Sequence, residues 1–292
     1  MIHQDAKSSH LAYRAVSRFA DPSIARDATT IVRVGRAAFG GPAPVIIAGP
    51  CAVESEVQTL TIARAARDCG ADMLRGGAYK PRTSPYDFQG LGEDGLKILA
   101  AARAETGLPI VTEVIDVRLV DQVARYADML QVGSRSMQNF PLLVEIGRTG
   151  LPVLLKRAMA ATLHEWLCAA EYIAAEGNLR IVFCERGVRG MGAEYSRFCL
   201  DLNVVAALRE ATHLPIIVDP SHATGHAELV PGAARAAIAC GAHGLIIEIV
   251  AEDTAREHIL CDATQAIRPS VLRTLVRDAH RIATRDEVEA VP

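Results

Sequence analysis

The sequence predicts a single (β/α)8 TIM barrel preceded by a short N-terminal extension. Three observations predict it: eight short apolar runs, amphipathic segments between them, and no break in composition once the alternation begins at residue 45.

The runs cover 45–49, 73–77, 109–114, 129–133, 153–156, 180–184, 215–218 and 245–250. Nearly all are short, branched and free of polar alternation, as strands buried on both faces of a parallel sheet are. The segments between them read as helices. In the clearest, 163–176, Thr162 and Glu165 form a capping box, Gly177 follows as a stop, and Leu163, Leu167, Ala170 and Ile173 share one face. Ser55 with Gln58 opens an earlier helix in the same manner. A doubly wound open sheet is the alternative use of these elements.

Residues 1–40 fall outside the rhythm and are assigned to an extension packed on the barrel bottom, with 41–292 as the catalytic barrel. Within the extension, 3–10 is polar and frayed, and 12–39 has room for a short helix and a strand that plug the barrel. No separate regulatory domain is expected.

Bulk properties exclude several function classes. Half of the 292 residues are hydrophobic and 22% are charged, which supports a large core and argues against disorder. A net charge of −3, without a basic patch, gives no general attraction to nucleic acid or membrane. No signal-peptide run and no stretch of about 18 uninterrupted apolar residues occurs, so a cytoplasmic protein is expected. Seven cysteines (51, 69, 168, 184, 199, 240, 261) lack C-x-x-C pairs, and all but one read as buried thiols in a reducing compartment.

Barrel active sites are built at the C-terminal ends of the strands, so the residues ending each run are the candidates. They are Cys51, then Arg75 with Lys80, Arg82 and Thr83, then Glu113, Arg135, Lys156-Arg157, Arg186 with Arg189, the run 219–222, and Glu248. The eight cations Arg75, Lys80, Arg82, Arg135, Lys156, Arg157, Arg186 and Arg189 crowd one mouth of a chain that is acidic overall. Such a field needs anions, either a small polyanionic ligand or two, or acidic side chains that neutralise some of the eight. Cys51, His222, Glu248 and an acid after the last strand make a mixed soft and hard donor set. Asp262 is chosen for that acid. The set suits Mn²⁺, Fe²⁺, Co²⁺ or Zn²⁺ better than Mg²⁺ or Ca²⁺.

Five runs carry a family resemblance: Ala48-Gly49-Pro50-Cys51, the stretch 76–91, Leu154-Leu155-Lys156-Arg157, Cys184-Glu185-Arg186-Gly187 and Asp219-Pro220-Ser221-His222-Ala223. They resemble the 3-deoxy-D-arabino-heptulosonate 7-phosphate (DAHP) synthases, in the branch related to the 3-deoxy-manno-octulosonate 8-phosphate synthases. The likeness spans roughly residues 12–280, and its specific part is Lys80-Pro81-Arg82-Thr83, where octulosonate synthases carry a Lys-Ala-Asn-Arg type run.

The resemblance implies condensation of phosphoenolpyruvate with erythrose 4-phosphate, the first step of the shikimate pathway to aromatic amino acids. It implies that Cys51, His222, Glu248 and Asp262 ligate a divalent metal. It leaves Asp253 as a rival for the last of these and favours Asp262 by its D-x-x-Q pattern with Gln265. It assigns Arg75, Lys80, Arg135, Lys156 and Arg186 to phosphoenolpyruvate, and Arg82 and Thr83 to the aldose phosphate. Glu113 would sit near the attacking water, and Lys80 would donate a proton to the developing alkoxide. A homo-oligomer, dimer or tetramer, is expected. Two departures stand out: Val250 replaces the family's usual His, and Ser196-Arg197-Phe198-Cys199 stands where Thr-Arg-Asn-Thr is usual. They leave open a synthase using a different aldose phosphate in a specialised pathway, or a catalytically silent regulatory homologue.

Overall fold

The computed structural model describes residues 13–17, 28–190 and 194–289. It opens with an antiparallel hairpin, β1 (Val32–Val34) and β2 (Ala37–Phe39), in which Val32 pairs with Phe39. Eight parallel strands follow: β3 (Val45–Gly49), β4 (Met73–Arg75), β5 (Ile110–Glu113), β6 (Met129–Val132), β7 (Val153–Lys156), β8 (Ile181–Glu185), β9 (Ile216–Val218) and β10 (Gly244–Glu248). They form a closed barrel, with β10 paired to β3 from Gly244 opposite Val45 to Glu248 opposite Gly49. Closure excludes the open sheet. Each strand ends within two residues of its expected limits: β4, β5, β6 and β10 stop one or two residues early, and β8 runs one residue further.

Strand pleat decides what faces the barrel axis. Val45, Ile47, Met73, Val111, Met129, Leu154, Val182, Cys184, Ile217 and Ile246 form one apolar cluster with the hairpin residues Val32, Val34, Ala37 and Phe39. These are the inward positions, and the hairpin plugs the end below them. The alternate residues Ile46, Leu74, Ile110, Leu130, Leu155, Phe183, Ile216 and Leu245 belong to the larger core against the helices. Both faces are apolar, so period two is hidden in the sequence.

The helix Leu163–Ala174 carries the expected capping box, with Thr162 and Glu165 bonded reciprocally, and Gly177 takes a left-handed φ of 83°. It ends two residues earlier than expected. Trp166 is its largest fully buried side chain; Nε1 donates to the Leu155 carbonyl at 3.2 Å. At the helix Glu56–Asp68 only half of the expected box forms. Ser55 accepts from Gln58 N, but the Gln58 side chain accepts from Glu54 N rather than from the cap. The frayed stretch expected over 3–10, and residues 18–27 where a short helix had room, lie outside the described residues. No helix among the described residues is long and apolar enough to cross a membrane.

Candidate active site

The site is the next layer of the barrel interior. Two residues beyond Met73, Val111, Met129, Leu154, Cys184, Ile217 and Ile246 stand Arg75, Glu113, Gln131, Lys156, Arg186, Asp219 and Glu248. The pleat that points the apolar residues inward points these inward too, one layer nearer the C-terminal rim. Arg75, Glu113, Gln131, Lys156 and Arg186 line a cavity of about 270 Å³, joined by Lys80, Arg82, Thr83, Arg135, Arg197, Phe198, His222 and Asp262 from the rim loops.

Buried ion pairs and hydrogen bonds order this layer. Asp219 is fully buried, and its Oδ2 accepts from Lys156 Nζ at 2.5 Å and from His222 Nδ1 at 2.7 Å. Burial opposes its charge, but the Lys156 ammonium, the hydrogen bond from His222 and the Arg75 guanidinium hold the carboxyl well below its ordinary range. Lys80 Nζ lies 3.2 Å from Cys51 Sγ and 3.3 Å from the Cys51 carbonyl. Burial alone would lower its pKa, yet the sulfurs of Cys51 and Cys261 and the Glu113 carboxylate raise it, so Lys80 keeps its proton. Glu113 Oε2 accepts from Gln131 Nε2 at 3.3 Å. The carboxylate rests on Gly133, where a Cβ would fall 1.8 Å from Glu113 Oε1, so a side chain there would displace the carboxylate from this seat.

The four proposed metal ligands converge. One donor atom from each of Cys51, His222, Glu248 and Asp262 lies within 4.8 Å of the others. Asp262 holds the one left-handed non-glycine backbone among the described residues, φ 52°, a conformation Asp tolerates better than most side chains. Asp253 instead lines a different cavity with Asp68 and Arg273. Since a carboxylate only accepts, Nδ1 of His222 carries the proton toward Asp219, and burial keeps the imidazole neutral. Its Nε2 lone pair then faces Glu248 Oε1 at 3.3 Å and Asp262 Oδ2 at 3.7 Å. Lone pairs so arranged call for a cation between them. Burial would raise Asp262, but His222, Arg197 and Lys80 lower it to about 2. The His222 part of that shift needs a charged imidazole; Arg197 and Lys80 are cations regardless. A hydrogen bond to Cys261, then burial, pushes the Cys51 thiol up; a divalent cation held here would favour the thiolate instead.

Unpaired atoms complete the description. Arg75 Nη1 comes within 3.1 Å of Glu248 Oε1 without hydrogen-bond alignment. Arg75 Nε, Arg75 Nη1 and Glu248 Oε1 are buried without a hydrogen-bond partner. Arg75 and Glu248 thus attract each other without sharing a hydrogen bond, which leaves Arg75 Nε open to an anion and Glu248 Oε1 open to a cation. The donor set thus fits a divalent metal with a soft ligand.

Every proposed site residue reaches this mouth, though not all the expected cations do. Arg157 has the opposite pleat from Lys156: it turns outward, bonded to Glu185 at 3.1 Å and Asp201 at 2.9 Å. Arg189 is exposed and does not line the cavity. Arg135 is exposed at the rim, its Nη1 3.5 Å from the Pro81 carbonyl. Sequence reasoning passed over Arg197, Phe198, Gln131, Gln265 and Cys261 as site residues. Gln265 Nε2 donates to Glu248 Oε2 at 2.6 Å, and Arg197 Nη1 donates to Gln265 Oε1 at 3.1 Å and Asp262 Oδ1 at 3.3 Å. Cys261 is no inert thiol, since its Sγ lies 3.0 Å from Cys51 Sγ and 2.8 Å from Arg82 Nη1. Nor are the other cysteines uniformly buried: Cys199 and Cys240 are exposed and Cys168 is intermediate.

Fold and site together define a (β/α)8 barrel enzyme with a cation-lined cavity beside a four-residue cluster that could hold a metal ion. The chain belongs to the DAHP synthetase I family, matching it over residues 27–284. A phospho-2-dehydro-3-deoxyheptonate aldolase of Thermotoga maritima is 43% identical over 271 residues, 93% of this chain and 78% of that protein. A 2-dehydro-3-deoxyphosphooctonate aldolase of Syntrophotalea carbinolica is 32% identical over 255 residues, 81% of this chain and 90% of the relative. The crystal structure of the Thermotoga maritima DAHP synthase superposes with a TM-score of 0.87 at 42% identity, covering 94% of this chain and 77% of that one. A truncated form of DAHP synthase from the same organism gives a TM-score of 0.84 at 39% identity, over 94% and 97% of the two chains.

Proposed function

We propose that this chain condenses phosphoenolpyruvate with erythrose 4-phosphate to give 3-deoxy-D-arabino-heptulosonate 7-phosphate and inorganic phosphate. The observation that carries this reading is a pair of neighbouring seats: a cavity lined by Arg75, Lys80, Arg135, Lys156 and Arg186, with Arg75 Nε buried without a hydrogen-bond partner, and beside it the four converging side chains of Cys51, His222, Glu248 and Asp262. An anionic substrate and a cation, bound side by side, satisfy both.

In this reading Arg75, Lys80, Arg135, Lys156 and Arg186 hold the phosphate and carboxylate of phosphoenolpyruvate, which bring the compensating charge the cavity lacks. Arg82 and Thr83, further out on the rim, take the aldose phosphate and orient its aldehyde toward the enol carbon. A divalent cation at Cys51, His222, Glu248 and Asp262, of the Mn²⁺, Fe²⁺, Co²⁺ or Zn²⁺ type, would supply Lewis-acid polarisation of that aldehyde. The enol carbon forms the new C–C bond, and Lys80, protonated between the seats, gives its proton to the aldehyde oxygen. Glu113 orients the water that adds to carbon 2. Phosphate then leaves by cleavage of the C–O bond.

The test is phosphate release by the Mn²⁺-loaded protein given phosphoenolpyruvate with either erythrose 4-phosphate or arabinose 5-phosphate. The run Lys80-Pro81-Arg82-Thr83 favours the four-carbon acceptor. Release only with arabinose 5-phosphate would move the chain to the octulosonate chemistry named for its more distant relatives. Release with neither would favour a silent homologue.

A further inference from the structure

Among the buried cations of the mouth, Arg186 is held differently from its neighbours. Arg75 faces Glu248 at 3.1 Å, Lys156 faces Asp219 at 2.5 Å and Lys80 faces the Cys51 sulfur at 3.2 Å. Arg186 is only 6% exposed, and its one hydrogen bond among the described residues is a long one, 3.4 Å, to the Gly187 carbonyl. No carboxylate lies within ion-pair distance of it among the described residues. Its partner is a ring: the guanidinium carbon sits 4.3 Å from the centroid of Phe198.

That ring is firmly placed. Phe198 N donates to the Ala223 carbonyl at 2.8 Å and Arg197 N to the Thr224 carbonyl at 2.9 Å, which ties the segment to the turn after His222. Cys199 and Val188 exchange backbone bonds at 2.9 Å, which ties it to the loop after β8. Gly187, at φ +90°, lets the ring settle, since a Cβ there would fall 2.6 Å from the Phe198 Cβ. The ring's backbone is thus anchored from both sides, and the side chain lines the cavity.

We propose that Phe198 is a positioning residue: it seats the Arg186 guanidinium by cation–π contact and so presents an unneutralised fork to the anionic group of phosphoenolpyruvate. This rests on the functional reading above. The physical reason is one of geometry. A carboxylate partner occupies the N–H edge of a guanidinium, which a phosphate or carboxylate ligand also needs. An aromatic ring contacts the guanidinium without accepting from that edge, so Arg186 is held in a desolvated place with its donors available.

The experiment compares the Mn²⁺-loaded wild type with Phe198→Tyr, which keeps the ring, and Phe198→Leu, which keeps apolar bulk without it. Calorimetry measures phosphoenolpyruvate binding and steady-state kinetics separate KM from kcat. Phe198→Leu should weaken phosphoenolpyruvate binding by about threefold to thirtyfold, the range of cation–π contacts from exposed to desolvated. Phe198→Tyr should stay within about twofold of wild type on the same scale. In Phe198→Leu the loss should fall on KM for phosphoenolpyruvate while kcat at saturation changes little. Wild-type binding by Phe198→Leu, or equal losses in the two variants, overturns the inference alone. A wild type that binds no phosphoenolpyruvate overturns the functional reading and this inference with it.

Discussion

Asp219 Oδ2 lies 2.7 Å from Nδ1 of His222, and the same oxygen is 2.5 Å from Lys156 Nζ. One buried carboxylate therefore orients a proposed metal ligand and a proposed substrate clamp together. Such outer partners fix the tautomer and aim of a ligating histidine.

Asp219→Asn should accordingly weaken two ligands at once. Metal affinity should fall about ten- to a hundredfold, because the imidazole loses its charged orienting acceptor. Phosphoenolpyruvate affinity should fall about tenfold, because Lys156 loses its anchor. Mn²⁺ titration followed by electron paramagnetic resonance, with calorimetry for phosphoenolpyruvate, reads the two separately. A loss confined to one ligand would show that the shared carboxylate does not couple them.

Chelation tests the cation seat. EDTA should abolish phosphate release and Mn²⁺ or Co²⁺ should restore it, while Cys51→Ala and His222→Ala should be almost inactive even with metal added. Full turnover after EDTA treatment would rule out the metal reading and point to a mechanism run by Lys80 and Glu113 alone.

Gly133→Ala probes Glu113 without touching it. The new methyl would overlap Glu113 Oε1, so the carboxylate must swing off its seat. If Glu113 orients the attacking water, kcat should drop by an order of magnitude or two. Phosphoenolpyruvate binding should change little. Equal losses in binding and kcat would make Glu113 part of the substrate seat instead.

The division of the mouth into two anion seats predicts opposite phenotypes. Arg82, reaching toward Asp87 and Cys261 at the rim, should serve the aldose phosphate, and Arg186, on the inner layer, phosphoenolpyruvate. Losing a charge-assisted phosphate contact costs about 1.5–3 kcal/mol, roughly ten- to a hundredfold. Arg82→Ala should raise KM for the aldose phosphate by that factor with phosphoenolpyruvate binding nearly unchanged, and Arg186→Ala should do the reverse. If Arg82→Ala weakens phosphoenolpyruvate binding as much as Arg186→Ala does, the two seats are one.

Much of this was legible in the sequence because a parallel barrel announces its strands as apolar runs and carries its chemistry where they end. What stayed hidden was direction. Lys156 and Arg157 are neighbours in the sequence, yet one faces the axis and the other pairs outward with Glu185 and Asp201. Period two would have separated them, but strands buried on both faces show no polar alternation from which to read it. Counting two residues on from Leu154 to Lys156, or from Ile246 to Glu248, recovers the inward set once a single inward residue is known. Arg197 and Phe198 were harder. They reach the site on a segment without strand or helix periodicity, held by the Val188–Cys199 bridge and the 223–224 carbonyls. The one signal was the run 196–199 itself, at a position where the family resemblance falters. Cys261 was obscured by adjacency, since the residue next to a ligand need not share its site; here the left-handed turn at Asp262 brings both in.

The most direct test of the central claim follows the bridging oxygen. Phosphoenolpyruvate labelled with ¹⁸O between carbon 2 and phosphorus is given to the Mn²⁺-loaded protein with erythrose 4-phosphate, and both products are analysed by mass spectrometry. Attack of water at carbon 2 with C–O cleavage predicts a seven-carbon sugar acid phosphate without the label, and inorganic phosphate that carries all of it. Label retained in the sugar, or phosphate released without a new C–C bond, would contradict the account.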